Sequence, residues 1–199
     1  MKLYMSTGSP FVRKCRIVAR EKGLMAHFQE ELVDFPYKSG ADFLQTNPIG
    51  QVPALLTDDG ESMTDSQLIC AYLDAVGSGP RLLPPEGPDH WRSRRMEALA
   101  DGILEMTVKT AMERRRPESE QSATWIGYWT DGLNRALDQA EFGVLDAEPL
   151  DLGKIALAVT GAYIDFRRPE LNWRARRPRL SQFADRLEER ASFEQTRPQ

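Results

Sequence analysis

The sequence predicts an α/β N-terminal half followed by an all-α C-terminal half. Three observations carry this. Short segments of alternating polarity dominate before residue 77, long segments of 3.6-residue period dominate after residue 88, and a strap rich in proline and glycine separates them. The strap packs four Pro and three Gly into the twelve residues 77–88, a density that no helix or central strand survives. The division is therefore residues 1–77, a linker at 78–88, and a helical part at 89–199.

Residues 2–6 alternate, with Leu3 and Met5 on one face of a strand and Tyr4 on the other. Ser9-Pro10 then reads as a helix start, serine at the N-cap and proline at the first helical position. Phe11, Val12, Cys15, Val18 and Ala19 form the apolar stripe of that helix, with Arg13, Lys14, Arg16 and Arg20 facing elsewhere, and Gly23 stops it. Residues 28–33 and 52–57 fit a second and a third strand. Asp58-Asp59-Gly60 marks a hairpin turn, and 61–63 returns as a fourth strand. A further helix aligns Leu68, Ile69, Tyr72, Leu73 and Val76.

Beyond the strap, Met96, Leu99, Ile103, Met106 and Thr110 or Ala111 recur at helical spacing, as do Ile126, Trp129, Leu133, Leu137 and Ala140. Leu152, Ile155, Val159, Tyr163 and Phe166 share one side of a third helix, which Asp151 caps, with Leu150 and Ile155 as the hydrophobic staple. A last helix carries Leu180, Phe183 and Leu187. No internal repeat is visible, and the polar tail 194–199 is expected to fray.

Composition excludes several classes. With 41% apolar and 28% charged residues, the 199-residue chain has the makings of a globular core. A formal net charge of −4 argues against a general nucleic-acid binder. No apolar run is long enough to span a bilayer, and the first residues lack a signal peptide's apolar stretch and cleavage site. Cys15 and Cys70 form neither a disulfide framework nor a metal motif; with His27 and His90 far apart, no metal site is expected, and a reducing cytoplasm is the default setting. The one strongly basic stretch has six arginines between Arg167 and Arg179; it reads as a solvated face pairing with Asp185, Glu188 and Glu189, not as a nucleic-acid surface.

Three segments are candidates for chemistry. In Thr7-Gly8-Ser9-Pro10-Phe11, free N–H groups and the helix dipole favour an anion such as a thiolate, although spacing alone reads Ser9 first as a plain cap. In Asn47-Pro48-Ile49-Gly50-Gln51-Val52-Pro53, a bend at Pro53 leaves the Val52 backbone free to pair with an extended peptide; the alternative is an ordinary loop. In Thr64-Asp65-Ser66-Gln67, Ser66 suits a carboxylate and Asp65 an ammonium, together the α-amino-acid end of a zwitterion, although a cap explains this segment too.

The order and spacing of SPFVRKCRIVAREKGL, NPIGQVPALLTDDG and MTDSQLICAYLD resemble the N-terminal domain of cytosolic glutathione transferases, and the helical half resembles that family's C-terminal domain. The Ser-Pro-Phe element is similar to the bacterial serine-type and plant tau enzymes. The resemblance implies a thioredoxin-like βαβαββα domain with a C-terminal helical bundle, usually as a two-fold homodimer. It implies that Ser9 is catalytic and hydrogen-bonds the glutathione sulfur, that Val52 precedes a cis-proline, Pro53, and pairs with the cysteinyl unit, and that Asp65 and Ser66 grip the γ-glutamyl group. Phe11 joins this glutathione site, and Lys38 and Gln51 fall near the positions that bind the glycyl carboxylate. By the same analogy Phe11, Met106 and Phe166 border a second-substrate pocket; as stripe residues they belong equally to core.

Three departures stand out. Gln51 replaces a common Lys or His, Lys154 replaces the acid that completes the capping box of the third C-terminal helix, and no tyrosine occupies the position used by mammalian-type enzymes. The implied activity is conjugation of glutathione, as co-substrate, to small electrophilic or hydrophobic molecules in detoxification, together with glutathione-dependent peroxide reduction. The alternative is a non-catalytic protein of the same fold that docks a protein partner, as stringent-starvation-type proteins do.

Overall fold

Four strands, β1 (Lys2–Met5), β2 (Gln29–Leu32), β3 (Ala54–Leu56) and β4 (Ser62–Met63), form one sheet of order β2-β1-β3-β4. The structure is a computed structural model and describes residues 1–33, 40–143 and 146–199. β2 runs parallel to β1, with Leu3 opposite Glu30; β3 is antiparallel to β1, with Leu3 opposite Leu55, and β4 is antiparallel to β3. The third strand is shorter than the periodicity suggests. Pro53 has no N–H for the ladder, so pairing begins at Ala54.

Alternation in β1 separates two apolar layers. Leu3 and Met5 join the main core with Leu55, whereas Tyr4 packs with Phe43 and Ala54. Phe43 comes from α2 (Ala41–Thr46), a short helix between the second and third strands; its ring lies 5.5 Å from that of Tyr4. This gives the βαβαββα order of a thioredoxin-like domain.

Helix α1 (Pro10–Glu21) carries the expected stripe, but Arg13 and Lys14 do not face solvent. Both are buried, because α1 is covered on a second side by the helical half. Arg13 donates to both Glu188 carboxylate oxygens at 2.8 Å and to the Phe193 carbonyl at 3.1 Å, and Lys14 pairs with Asp101. Such buried pairs contribute little net stability over apolar packing, but losing one partner is costly. Gly23, with φ of +66°, ends the helix in a conformation open to glycine.

Helix α3 (Ser66–Val76) runs into the strap, which is fastened rather than loose. Lys22 pairs with buried Asp74 at 3.0 Å and donates to the Pro80 carbonyl at 2.8 Å. Asp74 in turn accepts from the Leu82 and Leu83 amides, at 2.8 and 3.0 Å. A Cβ at Gly77 would stand 2.4 Å from that of Lys22, so only glycine lets α1 and α3 close there.

The helical half contains α4 (Pro88–Glu113), α5 (Ala123–Gly143), α6 (Leu152–Arg167), α7 (Trp173–Arg176), α8 (Pro178–Glu188) and α9 (Ala191–Glu194). α6 is buried on nearly every side and packs on α1, α4 and α8. Asp151 caps it, accepting from the Lys154 amide and the Ser93 hydroxyl, both at 2.9 Å. Lys154, placed against the dipole by sequence, turns its amine back to the Pro149 carbonyl at 2.7 Å, so the unfavourable charge is partly absorbed.

Two sequence expectations change here. The arginine-rich stretch is a solvated face only in part: Arg176 and Arg179 are exposed and Arg174 reaches Asp185 as expected, but Arg168 and Arg177 are buried beside Glu170 and Asp138. Glu188 is instead taken by Arg13. The tail 194–199 is held at one point: Thr196 is buried and its hydroxyl donates to the Ser192 carbonyl at 2.8 Å, while Glu194, Gln195, Arg197 and Gln199 are exposed. Among the described residues no helix is long and apolar enough to cross a membrane.

Candidate functional site

A cleft of about 790 Å³ opens between the edge of the thioredoxin-like half and the helices α4 and α6. Its first wall begins at the N-cap of α1. Ser9 has extended backbone, Pro10 starts the helix, and the Ser9 hydroxyl oxygen accepts weakly from the Val12 amide at 3.4 Å. Accepting with a lone pair leaves the hydroxyl proton available to donate into the cleft.

The second component is the loop before β3. Buried Asn47 organises it: the side-chain amide donates to the Gln51 carbonyl at 2.6 Å, and the side-chain oxygen accepts from the Ile49 amide at 3.1 Å. Gly50 takes φ of +71°, and the Val52–Pro53 peptide is cis, as the resemblance implied. Gln51, Val52 and Pro53 all line the cleft.

The third component is the start of α3. Asp65 is its N-cap, with Oδ1 accepting from the Gln67 amide at 2.7 Å, and Ser66 is buried beside it. The Thr64–Asp65 peptide is cis. The Gln67 side chain donates to Asp101 of α4 at 2.8 Å, and the same carboxylate holds Lys14 of α1. One acid from the helical half thus ties together two helices whose N-termini face the cleft. Burial works against the Lys14 ammonium, yet Asp101 and Glu97 hold its pKa above the ordinary value; burial pushes the Glu97 carboxyl up despite Lys14 and Arg94.

The cysteines behave as structural residues. Cys15 and Cys70 are buried with sulfurs 3.9 Å apart, and the Cys70 thiol is pushed well up by its hydrogen bond with Cys15 and by burial, so it stays protonated.

Seven sequence-designated residues, Ser9, Phe11, Gln51, Val52, Pro53, Asp65 and Ser66, line the one cleft. Lys38 lies outside the described residues. Met106 and Phe166 are not in the lining: Met106 packs against the core, its sulfur over Gly132 of α5, and Phe166 is partly exposed under the Arg167 guanidinium. Both share a helix with lining residues without lining the cleft themselves.

Sequence reasoning missed the charge on the helical wall. Arg115 and Arg167 line the cleft with Tyr163, a residue of the α6 stripe. Burial pushes the Tyr163 phenol up, against the opposing pull of Arg167 and Arg115. The two arginines near the buried tyrosine come from the turn after α4 and the end of α6, far apart in sequence, so no local signal exposes them. Among the described residues no group of three or more His, Cys, Asp or Glu is placed to hold a metal.

Comparison with known proteins shows the family and the fold. The family model described as "Glutathione S-transferase, N-terminal domain" matches residues 3–81. The chain is 37% identical to the uncharacterized GST-like protein YibF of Escherichia coli, over 100% of this chain and 98% of that protein. It is similar to a glutathione transferase family member from Pseudomonas fluorescens, solved with bound glutathione, at TM-score 0.92 and 32% identity over 100% and 98% of the two chains. It is also similar to a glutathione S-transferase from Methylobacillus flagellatus with glutathione bound, at TM-score 0.90 and 33% identity over 100% and 99%.

Proposed function

The chain belongs to the glutathione S-transferase family, and from that premise we propose that it is a serine-type transferase that ionises the glutathione thiol and conjugates it to small electrophiles. The observation that carries the proposal is the convergence of Ser9, Val52, Asp65 and Ser66 on one cleft, from segments far apart in sequence.

In this reading the γ-glutamyl ammonium meets Asp65 and its carboxylate meets the Ser66 end of α3. The cysteinyl backbone pairs with Val52, and the glycyl carboxylate lies towards Gln51. The sulfur then rests at the start of α1. A free thiol with a pKa of about 8.5 is mostly protonated at neutral pH. Lowering it by about two units requires roughly 2.7 kcal/mol of preference for the thiolate. A Ser9 hydroxyl donating to the anion contributes roughly 1.5–3 kcal/mol. The helix start adds about 0.3–1 kcal/mol. The two together suffice without a histidine base.

The thiolate attacks an electrophile whose apolar part rests on Phe11, Val108 and Met112. Peroxide reduction by glutathione draws on the same ionised sulfur. The family premise also supports a two-fold homodimer working in a reducing cytoplasm.

The direct test is ultraviolet absorbance of the protein–glutathione complex, titrated with pH. The bound thiol is expected to ionise roughly two units below free glutathione. Ionisation at the solution value, or no retention on glutathione resin, overturns the reading and favours a non-catalytic, partner-docking role.

A further inference from the structure

Resting on the reading of the cleft as a glutathione site, we infer that its second half selects electrophiles bearing a carboxylate, held by Arg115 and Arg167 beside the Tyr163 hydroxyl. Several arginines elsewhere in the helical half are engaged with acids, Arg114 and Arg168 with Glu170, Arg174 with Asp165, Arg177 with Asp138 and Arg190 with Glu21; what sets Arg115 and Arg167 apart is that they face the cleft. Arg115 and Arg167 both line the cleft, and among the described residues neither has an ion-pair partner. Arg115 touches the Met112 sulfur at 3.7 Å, and Arg167 lies over the Phe166 ring at 4.1 Å.

Aromatic support holds the Arg167 fork in place, turned towards the Tyr163 phenol and without an acidic partner among the described residues. Its Nη2 stands 2.8 Å from where a Cβ at Gly8 would be, so the guanidinium hangs directly over the Thr7-Gly8-Ser9 turn. The other charges on this wall, Glu105 and Lys109, pair with each other at 3.0 Å and cancel. The remaining lining beside the two arginines, Phe11, Val108 and Met112, is apolar. An occupant that matches both features has an apolar body and a terminal planar anion, for which an arginine fork has the right geometry.

The test is calorimetric binding of glutathione, S-(4-carboxybenzyl)glutathione and the neutral isostere S-(4-carbamoylbenzyl)glutathione to the wild type, R115Q, R167Q and G8A. The wild type is expected to bind the carboxylate about tenfold more tightly than the carbamoyl form, the scale of one charge-assisted hydrogen bond. In R115Q and R167Q that ratio is expected to collapse towards one, with glutathione affinity unchanged. G8A, which displaces only the end of the Arg167 side chain, is expected to reduce the ratio as well. Equal wild-type affinity for the two conjugates overturns the inference while leaving the glutathione site standing. Arginine variants that weaken all three ligands alike overturn it too, because the arginines then serve glutathione itself. Failure of the wild type to bind glutathione removes both readings together.

Discussion

Lys14 of α1 and Asp101 of α4 form a buried ion pair directly behind the cleft, and Asp101 also accepts from Gln67 of α3. The pair joins the sheet half to the helical half at the base of both site helices. Asp101→Ala leaves the Lys14 ammonium with Glu97 alone, 3.9 Å away. We expect a loss of about 3–5 kcal/mol in urea unfolding. Lys14→Met is expected to cost less, because Asp101 keeps the Gln67 donor and Glu97 keeps Arg94 at 2.9 Å. Equal costs for the two variants would show that the charge pairing does not govern the junction.

Ser9 is both N-cap and proposed thiolate donor, and the two roles separate by magnitude. Its cap contact to the Val12 amide is long, 3.4 Å, so Ser9→Ala is expected to cost at most about 1 kcal/mol of stability. The rate of conjugation at saturating glutathione is expected to fall roughly 10- to 100-fold, the kinetic equivalent of a lost charge-assisted hydrogen bond. Steady-state kinetics beside thermal melts reads both numbers. A stability loss with unchanged kcat would reduce Ser9 to a cap.

Asp65 allows a cleaner separation. Asp65→Asn keeps an oxygen that can accept from the Gln67 amide, now 2.7 Å away, and removes the negative charge. Little change in melting temperature is expected, with a rise of about tenfold in the KM for glutathione. Asp65→Ala should show the same KM rise and a further stability loss of about 1 kcal/mol. An unchanged KM in both variants would move the γ-glutamyl ammonium elsewhere.

What was readable in the sequence follows from the range of the physics involved. Ser9-Pro10, Pro53 and Asp65-Ser66 announce themselves because capping and proline chemistry act within a few residues. Arg13 and Lys14 did not, since their burial depends on Glu188 and Asp101, which lie 175 and 87 positions away. A helical period identifies a stripe but not the wall opposite it. Hence Met106 and Phe166 are stripe residues that lie outside the lining, whereas Tyr163, on the Phe166 stripe, reaches the cleft. Arg115 and Arg167 carry no pattern at all; only the closing of α6 against α4 brings them together.

Acid should loosen the molecule at two named carboxylates. Burial alone would raise the pKa of Glu21, but Arg190, at 2.8 Å, and the Ser192 hydroxyl hold it below the ordinary range. Glu30 follows the same logic with Arg16 and Arg20, at 3.0 and 2.8 Å. A depressed folded-state pKa contributes stability that is present above the unfolded glutamate value of about 4.3 and is lost as pH falls through the folded value. The melting temperature is therefore expected to hold between neutrality and about pH 5 and to drop below it. Glu21→Gln removes one such carboxylate from the tie between α1 and the segment leading into α9. It is expected to lower the melting temperature at pH 7 and to flatten the decline below pH 5, so that the two curves converge in acid. Curves that stay parallel down to pH 3 would mean that Glu21 contributes no proton linkage, and that its contacts with Arg190 and Ser192 do not outweigh the cost of burying it.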